Sequence, residues 1–410
     1  SAHQVAEPDS PPLRTELLGE HLVVFRDSSG KVGVLDEFCV HRRASLALGR
    51  NEGGGLRCLL HGWKFTREGT ILETPNHPLP NVREKIRQPS YPVIEEGGLV
   101  WTYIGEPRCQ PAFQRYGWVD SPEENYVVLR INTPANYLQL YEGGTDSAHV
   151  GVLHMNMMNP GWKDSTFVDG RTDQDGGKGW GAHDSSTADV VSKTDLYMSS
   201  TVFEKTPSLE IEDTSYGFQY AALREAEPAE DGSSTWSVRI TPIMLPTGRI
   251  IPANAFQFYV FEVPMNDELT ATYLVFHGPE KQDRQVIIDT MGLTDPKFWT
   301  YEDCYFRADW ADRLGQDRAS MDRNWSGFAG IEQEDSIIAM SMQPIVDRTK
   351  EYLVPSDEAV IRLRRRLLQS VELNEAGKEP LGLDIEDYSS VAAVPDTLIP
   401  QSGRWQDLAQ

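Results

Sequence analysis

"CVHRRASLALGRNEGGGLRCLLHGW", residues 39–63, holds two of the chain's four cysteines and two of its nine histidines. The pattern is CxH (Cys39, His41), sixteen residues, then CxxH (Cys58, His61). Four such donors in two tight pairs can hold a tetrahedral zinc ion or one iron-sulfur cluster, and spacing alone does not choose between them. Zinc pairs usually couple Cys with Cys and His with His, whereas each pair here contributes one of each. Two opposed loops of that kind can offer both Cys to one iron and both His to a second.

The flanking segments set this motif on loops of a small all-β domain. "HLVVFRD", "KVGVLDEF" and "GGLVWTYIG" are rich in Val, Tyr and Trp, with "DSSGKVG" as a hairpin turn between the first two. The first domain is expected over residues 1–110 and a second over 111–410. In the second, a helical segment (136–158) precedes a polar connector, "VDGRTDQDGGKGWGAHDSS" (168–186). Longer strands follow, "SYGFQYAALRE", "TWSVRITPIML", "AFQFYVFEVP" and "TATYLVFHG", and predict a large antiparallel sheet. A last helix is expected in "PSDEAVIRLRRRLLQSV", with Ser356 as N-cap and Asp357 and Glu358 at its start. Its apolar stripe would be Val360, Leu363, Leu367 and Val371. Arg364, Arg365 and Arg366 would form a solvated face, with docking of an electron donor as their alternative use.

With 62 acidic residues against 38 basic ones, the net charge of -24 argues against nucleic-acid and membrane partners. Few cysteines, no signal segment and no apolar run near 18 residues fit a reducing compartment, and a cytoplasmic location is expected. The opening "SAHQVAEPDSPP" reads as processed or truncated. No P-loop or dinucleotide fingerprint is present, so the chain itself is not expected to bind nicotinamide. Cys109 and Cys304 are expected to be buried packing residues, and His183 and His277 polar surface or core residues.

A second stretch, "NYLQLYEGGTDSAHVGVLHMN" (136–156), spaces Glu142, Asp146 and His149 by four and three residues, one face of a helix. His154 turns away from that face. Aiming both imidazoles at one ion requires a distorted helix such as a π-bulge, and Gly143–Gly144 already weakens regular helix there. Alone, two His five apart are most simply a structural pair.

Taken together, the two stretches resemble the Rieske non-haem iron oxygenases, and "HRRASL" and "HGWKF" extend the likeness. The resemblance implies a [2Fe-2S] cluster on Cys39, His41, Cys58 and His61. It also implies a mononuclear Fe(II) on His149, His154 and a carboxylate, with open positions for oxygen. Neither cluster loop carries the additional Cys of respiratory Rieske proteins, which implies a lower-potential cluster that hands electrons onward. "AGIEQEDSIIAMSMQ" supplies the carboxylate: by likeness it is Asp335, with Glu334 as runner-up. Asp146 matches the acid that bridges from His61 or His41 of a neighbouring subunit to His149. "DRTKEYLVPSDEAVIRLRRRLL" and "NYLQ" resemble the phthalate dioxygenase-like branch of large subunits, whose members usually carry a further N-terminal segment, so a few dozen residues are expected to be missing.

The fold so implied is α+β: an N-terminal all-β Rieske domain, then a catalytic domain with a large antiparallel sheet and helices, of the helix-grip, START-like kind. The implied partners are a flavin and iron-sulfur reductase using NAD(P)H, with or without a ferredoxin, and further copies of the chain in a homotrimer or stacked trimers. O2 would be the co-substrate and a small aromatic compound, most simply a carboxylated one, the substrate. Candidate substrate residues are Gln219, Arg224, Arg239 and Arg249, the arginines being most simply solvated at strand edges. Ring dihydroxylation and O- or N-dealkylation by a monooxygenase both remain open. From other classes, so do an electron-carrying Rieske protein without oxygenase activity and a zinc-stapled binding protein.

Overall fold

The computed structural model describes residues 1–77, 81–155, 167–168, 171–172, 206–226, 228–254, 256–321, 324–383, 385 and 387–409. They divide into two compact units, Ser1–Ala112 with Val263–Asp267, and Phe113–Glu262 with Glu268–Gln410. No described helix is long and apolar enough to cross a membrane.

In the first unit, β1 (Leu13–Leu17), β2 (Glu20–Arg26) and β3 (Val32–Asp36) form an antiparallel sheet that ends on a short strand at Ser90–Tyr91. The expected hairpin turn joins β2 to β3. Asp27 Oδ1 accepts from the Ser29 and Lys31 amides at 2.8 and 3.1 Å, and Gly30 takes the positive φ of +81° that the turn requires. A second sheet contains β4 (Arg50–Glu52), β5 (Gly55–Arg57), β6 (Lys64–Phe65) and β7 (Ile71–Glu73) in sequence order. Val23, Phe25, Leu35, Leu56, Trp63 and Phe65 pack together around Cys39 and Cys58.

The second unit is built on β12 (Tyr126–Thr133), β15 (Ser208–Thr214), β16 (Gly217–Glu225), β17 (Thr235–Met244), β18 (Gly248–Ile251), β19 (Gln257–Asn266) and β20 (Leu269–His277). The remaining strand numbers belong to the short strands Ser90–Tyr91, Val93–Glu96, Leu99–Thr102, Arg115–Tyr116, Phe167–Val168 and Arg171–Thr172. The sheet order is β12-β20-β19-β18-β17-β16-β15, with Val394–Pro400 also paired to β17. Alternation along these strands separates two faces. Phe218, Tyr220, Ala222 and Ile243 pack beneath helices Tyr137–Thr145 and Glu358–Glu375, whereas Ala221, Leu223, Val238 and Ile240 pack on Trp405 on the other side. Leu129, Ile131, Val260, Leu274 and Phe276 continue the helix-covered face beneath Arg284–Met291 and Ile331–Ser341.

Several expectations change here. Ser356 does not cap the last helix: it lies in a 3-10 turn, Pro355–Asp357, and Asp357 Oδ2 accepts from the Val354 amide at 2.7 Å. Along that helix Ala359, Val360 and Leu363 are buried, but Val371 is exposed. Arg365 is solvated as expected; Arg364 and Arg366 are not, because they bond inward to Glu142 and to the Gly217 carbonyl. Cys304 is buried, while Cys109 is exposed on the turn Pro107–Cys109. His277 is half-buried against the Ser121 hydroxyl at 2.8 Å. His183, residues 156–158 and most of the polar connector 168–186 lie outside the described residues.

Candidate metal centres

The two Cys/His loops share one backbone design. In the first, the Cys39 amide donates to Ala44 O (2.9 Å) and its carbonyl accepts from Arg43 N (2.8 Å). In the second, the Cys58 amide donates to Trp63 O (2.8 Å) and its carbonyl accepts from Gly62 N (3.0 Å). The residue four beyond each Cys closes the turn with positive φ, +59° at Arg43 and +75° at Gly62. Both thiols are buried, and burial pushes Cys39 up to about 11. The His41 and His61 rings lie 4.6 Å apart, and His41 stacks flat on Trp63. His61 Nδ1 is buried without a hydrogen-bond partner, as suits a nitrogen whose partner is a metal. Among the described residues, the donors close to single-ion distances at another site, not here, which fits a cluster of two irons better than one zinc.

That other site is His149, His154 and Asp335. Their facing atoms form a small triangle: Nε2 to Nε2 is 3.2 Å, His154 Nε2 to Asp335 Oδ1 is 3.3 Å, and His149 Nε2 to the same oxygen is 3.7 Å. An ion about 2.1 Å from each of three neighbouring donors holds them about 3 Å apart, so the triangle fits a two-His, one-carboxylate metal site. Burial disfavours a charged His154, but the Asp335 and Glu334 carboxylates outweigh it and push its pKa up to about 10. Burial raises Asp335 less than the nearby His154, His149 and Arg249 lower it.

The two imidazoles converge through the expected distortion of the helix, which takes the form of a break and not a π-bulge. Helix α2 (Tyr137–Thr145; α1 being Asn81–Lys85) ends at Asp146, whose backbone turns extended and whose Oδ1 accepts from Ala148 N at 2.7 Å. A single turn, α3 (Val150–Leu153), then starts at His149 and stops at His154. His149 Nδ1 lies 2.6 Å from the Asp146 carbonyl and 3.8 Å from its carboxylate.

Residues that resembled the family's signature have structural work here. Asn136 caps α2 through Leu138 N. Gln139 donates to Ala339 O and Gln343 O and accepts from Val346 N, tying α2 to the end of the Asp335-bearing helix, Ile331–Ser341. Glu142 is clamped by Arg364 (2.7 Å) and Arg348 (3.2 Å), both from the C-terminal motif. Spacing puts Glu142 on one face with Asp146 and His149; in the structure it anchors α2, the helix that precedes the histidines, instead.

The three arginines expected at solvated strand edges are all buried. Their strand partners place them on the helix-covered sheet face: Arg239 lies opposite Ala222, and Arg249 opposite Ile243. Arg224 donates to Ser147 O at 3.0 Å, Arg239 to Pro252 O at 3.0 Å, and Arg249 to Glu262 at 2.9 Å. Gln219 is not brought to this face. It alternates with Phe218 and Tyr220 and accepts from the Tyr216 hydroxyl at 3.1 Å. A Cβ on Gly144 would stand 2.0–2.2 Å from three Arg249 guanidinium atoms, so an alanine there would push this buried guanidinium away from Glu262. Gly144→Ala is expected to cost about 2–4 kcal/mol through overpacking and loss of the buried Arg249–Glu262 pair. Chemical denaturation measures it; a change below about 0.5 kcal/mol would contradict the packing described.

Comparison with known proteins agrees with both halves. Residues 1–91 match the Rieske [2Fe-2S] domain, and residues 102–174 and 182–410 match the "LigXa C-terminal domain like" family. The chain is 34% identical to the phthalate 4,5-dioxygenase oxygenase subunit of Pseudomonas putida, covering 98% of this chain and 87% of that one. It is 32% identical to the 3-chlorobenzoate-3,4-dioxygenase oxygenase subunit of Comamonas testosteroni, covering 98% and 89%. Among solved structures, dicamba monooxygenase bound to dicamba superposes with a TM-score of 0.56 at 16% identity over 90% of this chain and 95% of that one, a likeness of fold. Full-length identity at this level, falling on a chain with both kinds of metal-binding loop, shows that it belongs to the Rieske non-haem iron oxygenases as a large subunit of the phthalate dioxygenase-like branch, enzymes that use a [2Fe-2S] cluster and a mononuclear iron.

Proposed function

We propose that the chain hydroxylates a carboxylated aromatic ring, with O2 as co-substrate and electrons from a separate flavin and iron-sulfur reductase. Cys39, His41, Cys58 and His61 would hold the cluster, and His149, His154 and Asp335 the iron. When bound, the iron supplies a site for dioxygen and the cluster supplies electrons to it. The observation that carries the substrate class is the pair of buried guanidiniums, Arg224 and Arg239, on the sheet face beside Tyr220, whose electrostatic neighbours also include Asp146. Burial lowers the Arg239 pKa, and a buried cation is held best by an anion that replaces its lost water. Arg249 is less suited, since it is hydrogen-bonded to Glu262 at 2.9 Å; Asp396 also bears on Arg239, raising its pKa against the effect of burial. Dihydroxylation is preferred over dealkylation because both full-length relatives compared above are dioxygenases.

Transfer between copies in a trimer is part of the same reading. Leu59 and Leu60 are exposed beside His61, an apolar rim around a cluster that a second copy would cover. Asp146 would then be the acid between that copy's cluster histidine and His149.

Turnover with a reductase and a panel of phthalates, benzoates, aryl ethers and neutral aryl amides tests the reading; a diol from an aromatic acid is expected, and turnover confined to neutral substrates would contradict it. Arg239→Gln should raise KM for the acid about 10- to 100-fold, the worth of a buried charge-assisted hydrogen bond, and leave a neutral analogue nearly unaffected. Equal losses on acid and amide would remove Arg239 from substrate recognition.

A further inference from the structure

We infer that Glu334 is a positioning residue for the mononuclear iron: it fixes the His154 ring from behind and supplies, beside the carboxylate of Asp335, a second negative charge that a divalent ion in this site needs. The inference rests on the assignment of His149, His154 and Asp335 as ligands.

The two imidazoles are backed differently. His149 Nδ1 faces a neutral group, the Asp146 carbonyl at 2.6 Å, whereas His154 Nδ1 faces a carboxylate, Glu334 Oε2 at 2.7 Å. With Nδ1–H donating to Glu334, His154 Nε2 presents its lone pair toward Asp335 Oδ1 and His149 Nε2. Glu334 is itself held still. Its other oxygen accepts from the Ser326 hydroxyl, Ser326 in turn accepts from Phe328 N at 3.2 Å, and the Glu334 side chain is 1% exposed. Adjacent positions of one helix therefore grip His154 from both sides, Asp335 at Nε2 and Glu334 at Nδ1.

Charge argues in the same direction as geometry. A dipositive ion held by two neutral imidazoles and one carboxylate leaves an excess charge of about one unit, which is costly on the His154 side, where the ring is buried, although His149 and Asp335 are half-buried. Glu334, reached through the His154 ring, balances it. A glutamine could keep the ring orientation through its amide oxygen but not the charge, which makes Glu334→Gln the informative variant.

The test measures iron dissociation and the ferric/ferrous midpoint potential of the mononuclear iron in wild-type, Glu334→Gln and His154→Ala full-length proteins. Cluster absorption and thermal unfolding serve as checks that the chain is folded. For Glu334→Gln we expect iron to be held about 10- to 100-fold more weakly, and the potential of the remaining iron to rise because the ferric state loses a compensating charge. Unchanged affinity, or weaker retention with an unmoved potential, would overturn the role of Glu334. Retention of iron by His154→Ala would instead overturn the ligand assignment beneath it.

Discussion

Asp335→Ala is expected to lower turnover by about a thousandfold or more while leaving the cluster's visible absorption intact. The argument is geometric. Asp335 Oδ1 lies 3.3 and 3.7 Å from the two facing Nε2 atoms, so it closes a three-donor face that two imidazoles alone leave open. Its neighbour cannot take over without moving, because Glu334 sits behind His154, bonded to Nδ1 rather than facing Nε2. The cluster loops belong to the other compact unit and keep their own core. Steady-state turnover and iron analysis on the same sample check this. Iron retained with turnover within tenfold of wild type would move the ligand assignment to Glu334.

Asp146→Asn should leave both metal centres occupied yet slow reoxidation of the reduced cluster about a hundredfold in the presence of substrate and O2. Asparagine is the clean replacement. Its side-chain oxygen can still accept from Ala148 N, as Oδ1 does at 2.7 Å, so the helix break that aims His149 survives. What is removed is the charge of a part-exposed carboxylate whose Oδ2 lies 3.8 Å from His149 Nδ1. Stopped-flow absorbance of the cluster reads the rate directly. A wild-type rate in an iron-replete variant would leave Asp146 with only a capping role.

The parts of this molecule that could be read from sequence are those whose chemistry is local. Cys39–His41 and Cys58–His61 are legible because a knuckle-like turn must place its donors two or three residues apart. The strands and hairpin turns of both units are legible from alternation and turn residues. Asp335, and the bridging role of Asp146, were reached through resemblance, not spacing, and Asp335 lies with the histidines in the structure. What was missed depends on partners far along the chain. Arg364 reads as a solvated helix residue until Glu142, 222 positions away, is placed beside it. Arg224 and Arg249 read as strand-edge charges because Ser147 and Glu262 are not visible from their own strands. Gln219 shows a related limit: a period of two says that neighbours face opposite ways, not which way is toward the ligands. Gly143–Gly144 drew attention as a helix weakness, yet the space Gly144 leaves is filled by a guanidinium from β18.

Iron and acid-labile sulfide counted per chain, in wild type beside Asp335→Ala, bear most directly on a chain that couples a Rieske cluster to a second iron on His149, His154 and Asp335. About three iron and two sulfide are expected in the wild type, falling to about two and two in the variant. About two iron and two sulfide in both, or three iron in both, would contradict it.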